Sequence, residues 1–419
     1  MKNLLIISIL FNAYLFGQVP TDCYSSHITK IDDFYTNNTD FSDLEFLKKE
    51  LQNKKIVVLG ESGHGDGASF EAKTRLVKFL VEEMDYSTLA FEGGGFTEMA
   101  FASEKISQRK DAVAELKKSW YSLWSDSKQI QDLLKYINDK DSLNLLGIEN
   151  QLGNKYSWNL ADIYKILAGE LVFKDVDFDH FKKNLQNYYH STFDADTAIA
   201  NQVDVERLKD DLATIKKNTA AIDSKNARIV HQGVLNIEGL MTQLELYKGT
   251  YQQQNISISL RDSLMAENVK WYLEEYPDEK IIIWTANFHA TRTLENAIYK
   301  EGDDFYQVFN SLTNRLVDKY GDEVYAVAFT SVTGEIAINV HEDTEKIVIP
   351  KNSWDFQMAT TIDHDYAFIN FKEIRNNPNC ANLIFNSTIL GYKSHLGDWF
   401  NVFDGVFFIR EMYRSDLTE

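Results

Sequence analysis

Residues 56–59 are apolar at every position and end in Gly60, the pattern of a strand buried on both faces rather than one alternating between core and water. After the turn ESGHGDG, apolar residues return at helical spacing. Over 69–84, Leu76, Val77, Leu80, Val81 and Met84 fall on one face, with Arg75 free to project from its margin. A second strand is predicted over 87–91, delivering Glu92 and a run of three glycines. The order strand, loop, helix, strand predicts a parallel unit with a right-handed crossover. The unit recurs: 143–148 ends at Glu149, 281–285 runs into Ala286, Asn287, Phe288 and His289, and 325–330 and 406–409 supply two more strands. The fold class that follows is α/β, a mainly parallel central sheet flanked by helices. Polar residues leave several strands at their C-terminal ends, where open sheets of this kind form crevices.

Between about 150 and 276 the spacing changes to that of long, polar, amphipathic helices. HQGVLNIEGLMTQLELYKGTYQQQ has helical periodicity, and in LRDSLMAENVKWYLEEY the residues Leu260, Leu264, Asn268 and Trp271 fall near one stripe. This segment is predicted as a substantial helical insertion or cap beside the sheet. No Pro-, Gly- or Ser-rich linker separates it, so residues 18–419 are expected to form one domain. Ahead of them, Lys2 precedes an apolar stretch from Leu4 to Phe16, broken by Ser8 and Asn12 and followed by Gly17. That order predicts a signal peptide over 1–17 and an exported protein, periplasmic or extracellular. The stretch is too short and interrupted for a stable membrane span.

Composition narrows the picture further. The 63 Asp and Glu outnumber the 43 Lys and Arg, for a net charge of -20, and the basic residues are scattered. Such a surface repels a phosphate backbone and argues against nucleic acid as a partner. Cys23 and Cys380 are the two cysteines. Export permits a disulfide, but two cysteines so far apart make no framework, and two free thiols are at least as good a reading. Nothing in the chain signals an oligomeric state.

The candidate chemistry sits at the strand exits. Glu61 and His64 share the glycine-rich turn after the first strand, where an imidazole can exchange a proton near neutral pH. A surface histidine in a turn is the bland alternative. The next strand brings Glu92 to the same edge, where it could orient His64 or an attacking water. Two buried carboxylates need compensation, which His64, Arg75 or Arg261 could provide. The late strand ends in NFHATR, so Asn287, His289 and Arg292 reach the corresponding region; His289 could protonate a leaving group or stabilise an oxyanion. Arg261 and Asp262 form a charged pair suited equally to a substrate contact or a structural ion pair. Neither an HExxH helix, a Cys/His cluster, a Walker loop nor a G-x-S-x-G elbow is present, so no cofactor is expected. A divalent metal held by Glu61, His64, Glu92 and His289 is an alternative, and a non-enzymatic extracellular ligand-binding protein is another.

Four segments, VVLGESGHG, KTRLVKFLVEEMDYSTLAFEGG, LRDSLMAENVKWYLE and IIIWTANFHATR, occur in the order found in the erythromycin esterase family, which the sequence resembles from about residue 40 to Ile409. The resemblance implies a hydrolase of an ester or lactone, a small-molecule substrate, acting by direct attack of water without a serine acyl-enzyme. It assigns His64 to water activation, Glu92 and Glu61 to organising the polar pocket, and His289 to substrate or transition-state binding. It also marks Arg75, Arg261 and Asp262. Macrolactone ring opening is one activity it allows.

Overall fold

In the computed structural model, Ile56–Leu59 is a strand buried at all four positions, and its alternate residues enter different cores. Ile56 and Val58 join an apolar cluster on one face of the sheet, Val57 and Leu59 a second cluster on the other. Ile281–Trp284 divides in the same way. A strand covered on both faces can be apolar throughout, which is why the run in the sequence does not alternate. The structure describes residues 18–108, 111–140, 142–193, 202–294, 298–299, 305–337, 339 and 341–418; the expected signal peptide over 1–17 lies outside them.

In chain order the strands are β1 (Ile28–Ile31), β2 (Ile56–Leu59), β3 (Thr88–Gly95), β4 (Asn144–Glu149), β5 (Ile281–Trp284), β6 (Ile298–Tyr299), β7 (Val324–Ile336), β8 (Glu345–Lys346), β9 (Tyr366–Ile369), β10 (Phe385–Ser387), β11 (His395–Gly397) and β12 (Gly405–Met412). The large sheet has the order β1-β9-β12-β7-β2-β5-β3-β4, with β8 paired to β7. From β12 to β4 every neighbouring pair is parallel, whereas β9, β1 and β8 pair antiparallel at the periphery. Strands β10, β11 and β6 form a small antiparallel sheet. The expected mainly parallel α/β sheet is therefore present.

Two strands outrun their predicted bounds. β7 continues to Ile336, and β3 passes through the three glycines to Gly95. The register of β3 against β4 slips between Phe91 and Gly95, so the strand bulges where Glu92 leaves it, a common means of re-aiming a side chain beside a site. Gly93 makes the bulge possible. Its φ is +71°, and a Cβ there would come within 2.5 Å of the Trp124 ring.

Residues 150–276 contain the helices Leu160–Ala168, Phe178–Phe193, Val205–Ala220, Lys225–Tyr247 and Tyr251–Glu275. Their apolar faces, including Leu212, Val230, Ile237, Met265 and Val269, extend the core on one face of the sheet. A capping box at Thr250 and Gln253 starts the last of them. Its buried face is rotated from the predicted stripe: Asp262, Met265, Ala266, Asn268, Val269 and Leu273 are buried, while Leu260, Leu264 and Trp271 are only partly so. The inward polar residues are the reason. Asn268 Nδ2 donates to the Ile148 carbonyl of β4 at 2.9 Å, and its Oδ1 accepts from Gln232 and Asn236. No described helix is long and apolar enough to cross a membrane. Cys23 and Cys380 are joined by a disulfide with Cα atoms 5.8 Å apart, which corrects the reading of two free thiols.

Candidate active site

β2 hands the chain through Gly60 to Glu61, whose side chain is fully buried. A carboxylate there must be compensated. Lys73, from the helix Gly67–Glu83, forms an ion pair with Oε2, while Trp124 Nε1 donates to Oε1 at 3.0 Å and His64 Nδ1 lies 3.2 Å from the same oxygen. Lys73 is also fully buried, with its ammonium 4.0 Å from the Trp284 ring centre and donating to the Thr285 carbonyl at 3.2 Å. Burial pulls its pKa down to about 8, against the opposing pull of Glu61. The His64 ring stands edge-on to Trp124 at 4.7 Å, and its side chain remains 30% exposed.

Three distant segments hold this glycine loop. The C-terminal tail lies along it, with Gly67 N donating to Tyr413 O at 2.9 Å and Ser415 N to Gly65 O at 2.6 Å. Ser62 Oγ and Asn287 Nδ2 both donate to Ile389 O at 2.8 Å. Tyr392 OH donates to Asp66 Oδ2 at 2.8 Å, which also accepts from Gly63 N at 3.0 Å. Asp66 is fully buried, and desolvation pushes its pKa up to about 7 despite these hydrogen bonds.

On the other side of Thr285 stands a network of charges. Glu92, aimed by the bulge in β3, accepts from Thr285 Oγ1 at 2.6 Å and Ala286 N at 2.9 Å. Arg261, on the helix Tyr251–Glu275, bridges Glu92 at 3.1 Å and Glu149 at the end of β4, where Nε donates to Oε1 at 3.1 Å. Glu149 Oε1 also accepts from Asn150 N and Gln151 N. Asp262 faces His289 Nδ1 at 2.8 Å and caps Leu312 N at 2.7 Å. His289 Nε2 lies 3.2 Å from Glu92 Oε1 and 3.0 Å from Arg261 Nη1. Burial disfavours the imidazolium, but Asp262 and Glu92 outweigh it and hold the pKa up to about 10. For Glu92 likewise, desolvation is opposed by His289, Arg261 and His64, which leave its carboxyl well below the usual range. In the charged imidazole, which these carboxylates favour, Nε2–H donates to Glu92. On losing that proton, Nε2 can accept from Arg261 while Nδ1–H stays on Asp262, so His289 has two bonded states one proton apart.

Of the residues marked in the sequence, Glu61, His64, Glu92, Arg261, Asp262 and His289 gather at the C-terminal edge of β2, β3 and β5. Thr285 links the two groups by its carbonyl and hydroxyl, and no hydrogen bond joins His64 to Glu92 or His289. Asn287 is buried beneath the loop, with its amide spent on Ser62, Phe329 and Ile389. Arg75 and Arg292 stand outside the cluster. Far from projecting, Arg75 is 1% exposed and clamps Asp43 and the carbonyls of Asp33 and Asp40. Arg292 pairs with Asp404 at 2.7 Å. The sequence reading passed over Lys73, Trp124, Thr285 and, as a site residue, Glu149. Glu149 was findable, being a carboxylate delivered by a strand end just as Glu92 is. Lys73 carried no signal of its own, since a helix normally turns a lysine to water. Among the described residues, no group of three His, Cys, Asp or Glu side chains is arranged to hold a metal ion, and the four proposed as alternative ligands are engaged as above.

The family described as erythromycin esterase matches residues 81–411, a span that begins after Glu61 and His64. "Putative hydrolase YbfO" of Bacillus subtilis (strain 168) is 25% identical over 405 residues, covering 91% of this chain and 89% of that protein. Erythromycin esterase type II of Escherichia coli is 24% identical over 335 residues, covering 73% and 76%. Among solved structures, a mutant of the erythromycin esterase EreC in its open conformation superposes with a TM-score of 0.63 at 17% identity, covering 90% of this chain and 96% of that one.

Proposed function

The chain belongs to the erythromycin esterase family, which supports a hydrolase, and from that membership and the geometry of the site we propose that it hydrolyses an ester or lactone by direct attack of water. The observation that carries the reading is the approach of His64 Nδ1 to the buried Glu61 carboxylate, which favours one tautomer of the ring. With Nδ1 held toward Glu61 at 3.2 Å, the ring proton sits on Nδ1 and Nε2 is left as the basic nitrogen of a partly exposed side chain. A water placed at Nε2 gives up its proton as its oxygen attacks the carbonyl carbon. Negative charge gathers on the carbonyl oxygen, and the guanidinium of Arg261, 17% exposed, supplies the N–H donors that stabilise it. His64 then returns its proton to the departing alkoxide as the carbon–oxygen bond breaks. The ion pair from Lys73 holds the Glu61 side chain beside His64 throughout.

The test is hydrolysis of a panel of chemically varied esters and lactones by the intact protein. His64→Ala and Glu92→Gln should each lower kcat by roughly 100-fold or more with the fold retained. Near-normal kinetics in folded samples of both variants would remove the assignment, and binding without turnover would favour a ligand-binding protein. Export to the periplasm or the exterior is part of the proposal. The N-terminal pattern and the Cys23–Cys380 disulfide support it, and a mature N-terminus at Gln18 in the exported fraction is the expected result.

A further inference from the structure

Beside Glu149 lies a small cavity lined by Thr97, Glu149, Asn150, Tyr164, Gly233 and Asn236, among others. It leaves about 10 Å³ open to the centre of a water molecule, roughly what a single water requires. Three of its lining residues carry a buried polar atom with unmet hydrogen-bonding capacity: Thr97 Oγ1, Asn150 Oδ1 and Tyr164 OH. These residues are 2%, 2% and 0% exposed. The Thr97 and Tyr164 hydroxyls also interact with each other, which leaves Asn150 Oδ1 as the atom with no protein partner and each hydroxyl with capacity to spare toward the same water-sized space. Their donor balance identifies what fills it. Asn150 Nδ2 already donates to Gln243 Oε1 at 3.0 Å, which leaves Oδ1 as an acceptor only, whereas the two hydroxyls can donate. A water that donates to Asn150 Oδ1 and accepts from Thr97 and Tyr164 makes the three bonds usual for a buried one.

We propose that this cavity is a binding site for one ordered water, and that the water braces the end of β4 on which Glu149 stands. It ties Asn150, the residue after Glu149, to Thr97 on the helix Phe96–Ser107 and to Tyr164 on the helix Leu160–Ala168. The backbone amides of Asn150 and Gln151 in turn hold Glu149 Oε1, the carboxylate that fixes Arg261. Gly233 keeps the space open, since a Cβ there would come within 2.2 Å of Thr97 Oγ1 and 2.8 Å of the Tyr164 hydroxyl.

A crystal structure of the whole protein, at a resolution that shows buried solvent, tests the site. One peak within hydrogen-bond distance of all three atoms is expected. An empty cavity, or a peak coordinated at metal-ion distances, overturns the proposal. Gly233→Ala should expel the water, and Tyr164→Phe, which adds no atoms, should loosen it if the first variant fails to fold. In each, amide hydrogen exchange at Asn150 and Gln151 should quicken about tenfold or more. Unchanged exchange with the peak lost would overturn the bracing role.

Discussion

The two halves of the site are built on opposite plans. The half around His64 comes mostly from one stretch of chain: Glu61, His64, Asp66 and Lys73 lie within 13 residues, distant Trp124 and Tyr392 are added to them singly, and backbone groups of the tail at Tyr413–Ser415 and of Ile389 hold the loop around them. The half around His289 is assembled from β3, β4, β5 and the helix Tyr251–Glu275, and its members are joined side chain to side chain. One half keeps an imidazole partly in solvent; the other buries three carboxylates around Arg261 and His289. Catalysis by the proposed route needs both, a base that can change protonation and a field that does not. With His289 held up to about 10 and Glu92 held well below the usual carboxylate range, the network keeps its charges across neutral pH.

Removing the network's shared cation should therefore cost stability as well as turnover, whereas removing His64 should harm turnover alone. The largest effect on stability is expected from Arg261→Met, which leaves Glu92 and Glu149 buried without their shared cation. It should cost about 3–5 kcal/mol in urea unfolding, while His64→Ala stays within about 1 kcal/mol of the parent. Equal losses in the two variants would erase the distinction. Next in size is the disulfide. It ties Cys23 to Cys380, shortly before the segment that holds the glycine loop. Replacing both cysteines with serine should lower stability by about 2–5 kcal/mol, and limited proteolysis should then cut first between residues 381 and 394. First cleavage within 251–275 would contradict that placement.

The same division explains what could be read from the chain. β2, β3 and β5 are apolar runs that lead into a polar residue, so strand, exit and candidate side chain were visible together. Lys73 and Arg75 were not readable as buried charges, because a helix normally turns lysine and arginine to water. Their partners, Glu61 upstream in the loop and Asp43 in a preceding turn, become neighbours only on folding. The rotation of the helix Tyr251–Glu275 was missed for a related reason. Apolar spacing locates an apolar face, yet the inward side of this helix carries Asn255, Ser259, Asp262 and Asn268, whose partners lie on other elements. Where a core is polar and satisfied, hydrophobic periodicity points the wrong way.

The smallest expected effect sharpens the comparison most, because it separates the halves by pH rather than by damage. Asp66 is a buried acid in the His64 half, with its pKa raised from 3.8 to about 7. A carboxyl whose folded pKa lies above its unfolded value favours the folded state most when protonated. Its contribution is complete below about 4 and is lost as pH rises through 7. Asp66→Asn keeps an oxygen to accept from Tyr392 and Gly63 but cannot ionise, so it should raise Tm relative to the parent at pH 8 and change it little at pH 4. His289 gives a slope of the same sign at higher pH: its stabilisation is complete below 6.5 and lost toward about 10. The two are separable by window. Asp66→Asn should flatten the parent's decline between pH 4 and 7 and leave the decline above 8 in place. A variant that flattened only the upper window would mean that the glycine loop carries no titrating acid, and that the pH response belongs to the network alone.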